Sequence, residues 1–328
     1  MRRRSLIVAG TLGLGPLIGL PGTVRADVRL HRGAALAFGT TVSVAVRHAD
    51  AGLAQRAVAD ALASIGEVHR LMSIHDPASE VFRLNRDGVL RRPDPRLLEV
   101  LLHARALSRL SKGAFDITVQ PLWLAGRTAA ELGGLPSREE RERARALAGW
   151  RDVEANHERV VLRRTGMAIT LNGLAQGYAA DLALQAVRRH GIVDALLDTG
   201  EFAPAGKAGE RAWMLGVLDP RAVDGLAVAF AADGRCVATS GDYQAAFTPD
   251  FRHHHIVDPA TGQSPPELAS VTVLAPTALE ADGLSTAFMV MGARRAHTLA
   301  ARLPGVDLLT IDKRGLAWRS QGFPELRP

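Results

Sequence analysis

Residues 169–201 constrain the fold more than any other stretch of the chain. They open Ile169-Thr170-Leu171-Asn172-Gly173-Leu174-Ala175-Gln176-Gly177-Tyr178-Ala179-Ala180-Asp181 and run on to Leu196-Leu197-Asp198-Thr199-Gly200-Glu201. Ile169 and Leu171 read as the end of a strand, which Asn172-Gly173 breaks with a turn. Beyond the turn Leu174, Tyr178, Leu182 and Ala186 recur every four residues beside Ala175, Ala179, Ala183 and Val187, which predicts an amphipathic helix. Gln176, Gln185, Arg188 and Arg189 fall on its polar side, Gly191 stops it after a basic last turn, and residues 193–197 read as the next strand. Such a turn leaves backbone N–H groups free at a helix N-terminus, which suits an anionic ligand, and Gly173 and Gly177 would let that ligand approach closely. The same spacing fits an ordinary packed unit, and spacing alone leaves both readings open.

The chain has 328 residues with 47% hydrophobic content, enough for a large core in one big domain or two intertwined ones. Residues 1–26 hold Arg2, Arg3 and Arg4, an apolar run from Leu6 to Leu20, and Val24-Arg25-Ala26 as a small-residue cleavage site. That is the pattern of an export signal, so the mature domain is expected over residues 27–328. Adjacent arginines before a glycine-rich apolar core point to the twin-arginine route, with the general secretory route as the alternative. Gly13-Leu14-Gly15 inside the leader imitates a dinucleotide fingerprint but follows no strand. Removing the leader's four arginines lowers the net charge from +6 to +2. With no basic run interleaved with aromatics, a nucleic-acid partner is not expected. Cys236 is the only cysteine, which excludes an intramolecular disulfide and a cysteine zinc site. Its neighbours Val237 and Ala238 predict a buried strand thiol.

Along the chain, residues 37–46 alternate as a strand, and residues 54–72 carry Val58, Ala61, Leu62, Ile65, Val68 and Leu71 at helical spacing. The loop Met72-Ser73-Ile74-His75-Asp76-Pro77-Ala78-Ser79-Glu80 follows, then a second helix over 95–111, which Lys112-Gly113 ends. In Gly113-Ala114-Phe115-Asp116-Ile117-Thr118-Val119-Gln120-Pro121-Leu122, Asp116 is placed to cap a turn. Residues 127–151 read as a surface helical connection, and 213–217 and 226–230 as strands. Another strand runs into the small-residue turn Ser240-Gly241-Asp242. His253-His254-His255 invites a metal, but adjacent side chains on a strand point to opposite faces and cannot close on one ion. Residues 270–275 form a strand that passes Pro276 into a helix, where Asp282 and Thr286 lie four apart on one face. Both offer hard oxygen ligands of the kind Mg²⁺ takes, and a surface Asp with a back-bonding Thr has the same spacing.

Seven segments between about Phe38 and Gly292, occurring in the family's order, resemble the ApbE family, the FAD:protein FMN transferases. Residues 170–181 are similar to that family's D-L-G-A-I-A-K-G-Y-x-x-D, residues 113–122 to G-A-F-D-x-T-V-x-P-L, and residues 238–243 to A-T-S-G-D-Y. Residues 255–259 resemble H-I-(I/V)-(D/N)-P, and the 270–287 stretch resembles S-V-T-V-x-A-P-T-A-x-x-A-D-A-L-x-T-A. The resemblance implies an α+β fold, T-fold-like sheets flanked by helices, with a nucleotide cleft between two structural halves. It implies flavin-nucleotide contacts from Phe38, His75, Ala114, Phe115, Asp116, Thr170, Gln176, Ile256 and Ser285. Phe38 and His75 stand where the family has Met and Tyr, while Thr170, Asn172 and Gln176 replace Asp, a small residue, and Lys or Glu. The metal ligands implied are Asp282, Thr286 and the Gly173 carbonyl, with His255 and Asp282 as the catalytic pair.

The activity this implies is Mg²⁺-dependent transfer of FMN from FAD to a Ser or Thr hydroxyl of a target protein, with AMP leaving. The leader and the Asn172-Gly173-Leu174-Ala175-Gln176-Gly177-Tyr178 turn resemble the NosX-like branch, accessory proteins of nitrous oxide reduction. That branch implies an acceptor that is a NosR-like membrane flavoprotein facing the periplasm. ApbE-like lipoproteins carry a cysteine at the cleavage site, and its absence here implies a soluble periplasmic protein. Two alternatives stay open: FAD pyrophosphatase activity giving FMN and AMP, and a non-catalytic flavin carrier or assembly chaperone.

Overall fold

A two-residue turn sets the first hairpin. Strands β1 (Arg29–Ala37) and β2 (Thr40–His48) pair antiparallel with Ala37 opposite Thr40. Phe38 and Gly39 between them both take positive φ, 52° and 73°, which matches the natural twist of paired strands. The expected strand over 37–46 is therefore a hairpin corner followed by β2. The computed structural model describes residues 28–222 and 225–327. The export signal read in residues 1–26 lies outside the described residues.

Helix α1 (Ala51–Met72) starts where Asp50 accepts the Leu53 N–H and buries the predicted apolar stripe, including Val58, Ile65 and Val68. Helix α2 (Glu80–Asp87), capped by Ser79, occupies part of what the sequence suggested as loop. Strand β3 (Val89–Arg91) leads to α3 (Pro95–Leu110), which has Pro at its first turn, the position where a missing N–H costs nothing. Helices α4 (Gln120–Glu131) and α5 (Arg138–Ala146) form the surface connection, α5 starting in a Ser137–Glu140 capping box. Strands β4 (Val153–Ala155) and β5 (Arg159–Leu162) join β3 in a small sheet.

Then come α6 (Ala175–Arg189), β6 (Asp194–Asp198), β7 (Phe202–Ala205), β8 (Met214–Leu218), β9 (Leu226–Ala231) and β10 (Cys236–Gly241). The chain closes with β11 (Leu268–Ala275), α7 (Ala278–Met291), α8 (Ala293–Ala300), β12 (Asp307–Asp312), β13 (Ala317–Arg319) and β14 (Leu326–Arg327).

The main sheet has eight strands in the order β1-β2-β6-β7-β10-β11-β12-β13, every neighbouring pair antiparallel. Period-two alternation gives it two apolar faces. On β10, Cys236 and Ala238 enter the core formed with α1, α6 and α7, while Val237 points into a second core with Trp213 and with Leu215 and Phe230 of the β8-β9-β14 sheet. Strand β11 is buried along its whole length. This is an α+β protein with helices on one face of a large sheet and a small sheet on the other. Among the described residues no helix is long and apolar enough to cross a membrane.

One expected element is absent. Residues 168–171 form no strand, because the backbone of Ile169 bonds both ways to the Asn85 side chain, at 2.7 and 2.8 Å, and Thr170 N–H donates to the Ile117 carbonyl at 2.8 Å. A side-chain amide takes the place of a neighbouring strand.

Candidate active site

Helices α6 and α7 meet where residues 173–177 face residues 278–286. A Cβ on Gly177 would lie 2.2 Å from the Ala278 carbonyl oxygen and 2.8 Å from Asp282 Cβ, so hydrogen is the only side chain the crossing admits. The Gly177 N–H donates to Asp282 Oδ2 at 3.0 Å. The sequence suggested that Gly177 and its free N–H would admit an anionic ligand. Instead this glycine admits α7, and its N–H aims a carboxylate. Gly173 does face the site: a Cβ there would sit 2.8 Å from Thr286 Oγ1 and 3.5 Å from the Phe115 ring.

Hydroxyls continue the cluster. Ser285 Oγ lies 2.8 Å from Ser240 Oγ and donates to the Asp282 carbonyl at 2.9 Å, and Ser240 Oγ is 3.3 Å from Thr286 Oγ1. Asp282, Ser285 and Ser240 are buried, while Thr286 and Gly173 are partly open. The structure thus brings together Gly173, Phe115, Asp282, Ser285 and Thr286 from three separate motifs. Ser240 joins them from the β10 end, a position the sequence motif contained without assigning it a role. The donors are one carboxylate, hydroxyls and a backbone carbonyl, all hard oxygens. Among the described residues there is no group of three or more His, Cys, Asp or Glu side chains placed to hold a metal, so a cation here would take its remaining ligands from water and from a phosphate-bearing substrate.

Gln176 is a correction to the helix pattern, since it is buried rather than on a polar face. Its amide donates to the Thr199 carbonyl, and Thr199 Oγ1 donates back to the Gln176 carbonyl at 2.9 Å. This ties the start of α6 to the β6–β7 turn, where Glu201 Oε2 accepts the Thr239 N–H at 3.1 Å. Thr170 Oγ1 accepts the Asn172 N–H at 3.3 Å and shapes the turn before Gly173. Asp116 caps a short 3₁₀ turn: Oδ1 accepts from Thr118 N–H and Oγ1 at 2.8 and 2.6 Å, and Oδ2 accepts the Trp150 N–H at 3.0 Å. Burial raises its pKa above the usual carboxylate range against those bonds. The carboxylate is therefore engaged inside the protein, and the neighbouring Phe115 ring is the segment's contact with Gly173.

The loop after β10 is held differently. Asp242 is fully buried and takes two bonds from Arg221, at 2.8 and 2.9 Å, with Lys313 Nζ at 3.5 Å. Arg221 lies 4.6 Å over the Phe251 ring, and Lys313 donates to the Phe251 carbonyl at 2.6 Å. His254 is fully buried, and neither ring nitrogen has a partner at hydrogen-bonding geometry among the described residues. Burial first, then the Lys313 charge, push its pKa down to about 4 against the pull of the Pro265 carbonyl. His255 is partly buried, with its Nδ1 enclosed, its backbone N–H bonded to the Ala245 carbonyl at 3.0 Å and its ring edge-on to that of His254 at 6.3 Å. Ile256 packs into the main core. The three histidines lie in no strand, and only a single bridge pairs His254 with Ala246, so the alternation expected of a strand does not govern them.

Phe38 and His75 lie outside the α6–α7 cluster. Phe38 N–H donates to His69 Nδ1 at 3.2 Å, and the two rings meet edge-on at 5.2 Å. This bond fixes the His69 proton on the other nitrogen when the ring is neutral, and burial lowers the His69 pKa. His75 is exposed on the loop after α1, its N–H bonded to Ser73 Oγ at 3.1 Å.

Fold and site together define an α+β protein whose hydroxyls, single carboxylate and turn carbonyl gather at a glycine-mediated helix crossing. The model of the ApbE family matches residues 38–310, and the chain belongs to that family. Relatives include the FAD:protein FMN transferase of Treponema pallidum, 30% identical over 88% of this chain and 87% of its own length. That of Salmonella typhimurium is 29% identical over 78% of this chain and 77% of its own. Among solved structures, the ApbE protein of Thermotoga maritima superposes with a TM-score of 0.80 at 32% identity, covering 89% of this chain and 97% of that one. The Pseudomonas stutzeri flavinyl transferase ApbE in its apo form gives 0.78 at 28% identity, covering 90% and 95%.

Proposed function

We propose that this chain is a FAD:protein FMN transferase that works with Mg²⁺ and modifies a Ser or Thr hydroxyl of a protein facing the periplasm. The observation that carries the reading is the convergence of Gly173, Asp282, Ser285 and Thr286, from two distant motifs, at one crossing in a chain whose full-length relatives bear that name. Asp282, Thr286 and the Gly173 carbonyl would hold the ion, which supplies charge neutralisation at the FAD pyrophosphate. Gly177 N–H keeps the Asp282 carboxylate aimed, and the Ser240–Ser285 pair holds the adjacent turn of α7.

In the reaction, the acceptor's hydroxyl oxygen forms a bond to the FMN-side phosphorus, and the bond from that phosphorus to the AMP-side oxygen breaks. AMP departs with the bridging oxygen. The hydroxyl proton passes to His255, a partly buried imidazole on the loop after β10, and from there to solvent. Phe115 and Ala114 would lie along the flavin, with Phe38 and His75 closing over it. The arginine-led leader in residues 1–26 supports export. The resemblance to the NosX-like branch supports a NosR-like acceptor in nitrous oxide reduction. The departures at Thr170 and Gln176 kept the pyrophosphatase alternative open. Both side chains have structural work in the turn and in the bond to Thr199, so these departures do not by themselves favour hydrolysis.

The test is incubation with FAD, Mg²⁺ and a candidate acceptor, followed by intact-mass measurement of the acceptor and assay of AMP. A mass gain equal to FMN with matching AMP is expected. Free FMN and an unmodified acceptor would instead establish FAD hydrolysis, and bound FAD with no AMP would establish a carrier.

A further inference from the structure

Asp181 lies on α6 one turn beyond Gly177 and does what a local cap ordinarily does, but from 97 residues away. Its Oδ1 accepts the Ala278 N–H at 2.8 Å and its Oδ2 accepts the Leu279 N–H at 2.9 Å. The next N–H of that turn is served locally, Glu280 by Thr277 Oγ1 at 3.2 Å, and Ala281 makes the first regular helical bond, to the Thr277 carbonyl at 3.1 Å. Of the end donors at Ala278, Leu279 and Glu280, which have no carbonyl within α7 to reach, two are therefore satisfied by another helix.

The two clamps are in step. Gly177 holds Asp282, and Asp181, one turn further along α6, holds Ala278 and Leu279, one turn earlier on α7. Neither helix can slide or turn without stretching one of these contacts, and the missing Cβ at Gly177 leaves no slack between them. Asp181 is also largely buried, which raises its pKa above the usual carboxylate range, with the two N–H bonds opposing.

We propose that Asp181 is a positioning residue for the oxygen-donor pair of α7: by fastening the first turn of α7 to α6 it holds Asp282 and Thr286 opposite the Gly173 carbonyl. This rests on the reading of that trio as a Mg²⁺ site. A helix displaced on the order of 1 Å at such a site loses productive geometry. Asn in place of Asp181 keeps the shape but can accept only one of the two N–H groups, while its own NH₂ opposes the other.

Binding of Mn²⁺, used as a paramagnetic probe for the site and followed by electron paramagnetic resonance, tests this without turnover. Asp181→Asn should weaken Mn²⁺ binding by about tenfold or more, the scale on which groups that orient ligands act, and should raise the Mg²⁺ needed for half-maximal AMP release. Saturating Mg²⁺ should restore much of kcat. Glu280→Gln, at the same helix end but outside both clamps, should bind Mn²⁺ as wild type does. A folded Asp181→Asn protein with a lower Tm and unchanged Mn²⁺ affinity would reduce Asp181 to a helix cap. Equal weakening in Glu280→Gln would also overturn the proposal, assigning the effect to charge near α7.

Should Asp181→Asn fail to fold, wild type still decides. Mg²⁺ should slow hydrogen exchange of the Ala278 and Leu279 amides more than that of the β11 core, since coupling between sites is reciprocal. No such excess would contradict the clamp. Wild type that binds no Mn²⁺ would overturn both the clamp and the metal site, whereas wild-type binding with an indifferent variant overturns the clamp alone.

Discussion

The α6–α7 crossing and the 242–264 loop are held in place by opposite means. At the crossing, a carboxylate is aimed by a backbone N–H, and two helices touch through a glycine. In the loop, His255 stands on a segment held by a buried ion pair, Asp242 with Arg221, and by His254, whose ring is buried without hydrogen bonds among the described residues. The difference teaches what each region depends on. Packing at Gly177 leaves no room for another side chain, whereas the loop depends on the charges of its ion pair. Departures from the family pattern fall at the entry to the crossing, at Thr170, Asn172 and Gln176, as well as at Phe38 and His75.

The largest effect should come from breaking the crossing. Gly177→Ala would drive a methyl to 2.2 Å from a backbone oxygen, which no rotamer can relieve, so α7 must move. A loss of about 3 kcal/mol is expected, at the upper end of ordinary overpacking costs, and urea unfolding would measure it. A loss below about 0.5 kcal/mol would show that the helices are not in contact as described.

Next is the loop's acid sensitivity. His254 is neutral when folded, with its pKa pushed down to about 4 by burial, against an ordinary value near 6.5. Because the folded-state pKa is the lower one, the stabilisation is full above about pH 6.5 and is lost as pH falls toward 4. By linkage this amounts to about 2 kcal/mol at pH 5. His254→Leu should therefore flatten the pH dependence of Tm between pH 7 and 5. An unchanged slope would mean that His254 is not the group responsible.

The smallest effect is expected at the exposed loop after α1. His75→Ala should weaken FAD binding by about 1 kcal/mol, the worth of one aromatic contact, while leaving the Mg²⁺ requirement alone. Quenching of flavin fluorescence measures it, and an unchanged Kd would leave His75 as loop surface.

Much of this was legible in the chain. Helices α1, α3 and α6 and the strand-to-helix passage into α7 followed from apolar period and breakers. What escaped was tertiary. The 3.6 period put Gln176 on a polar face, but the Thr199 carbonyl drew it inside. Ile169 looked like strand because it is apolar, yet its backbone partner is a side chain 84 residues away. Gly177 signalled a close approach correctly, and only the structure shows that α7 is what approaches. Ser240 and Asp181 lay within quoted motifs, but nothing local distinguishes a hydroxyl or carboxylate that serves another helix.

The most direct measurement is AMP release against Mg²⁺ concentration for wild type and Asp282→Asn, with circular dichroism confirming the fold. Asn preserves shape and one oxygen, so packing at the crossing should survive while the negative charge that holds the cation disappears. If Asp282 anchors the metal at the pyrophosphate, the rate should fall by roughly 10³-fold, the loss of several kcal/mol of charge stabilisation, and should not recover at high Mg²⁺. A folded Asp282→Asn protein with wild-type rate and wild-type Mg²⁺ dependence would contradict the placing of catalysis at the α6–α7 crossing.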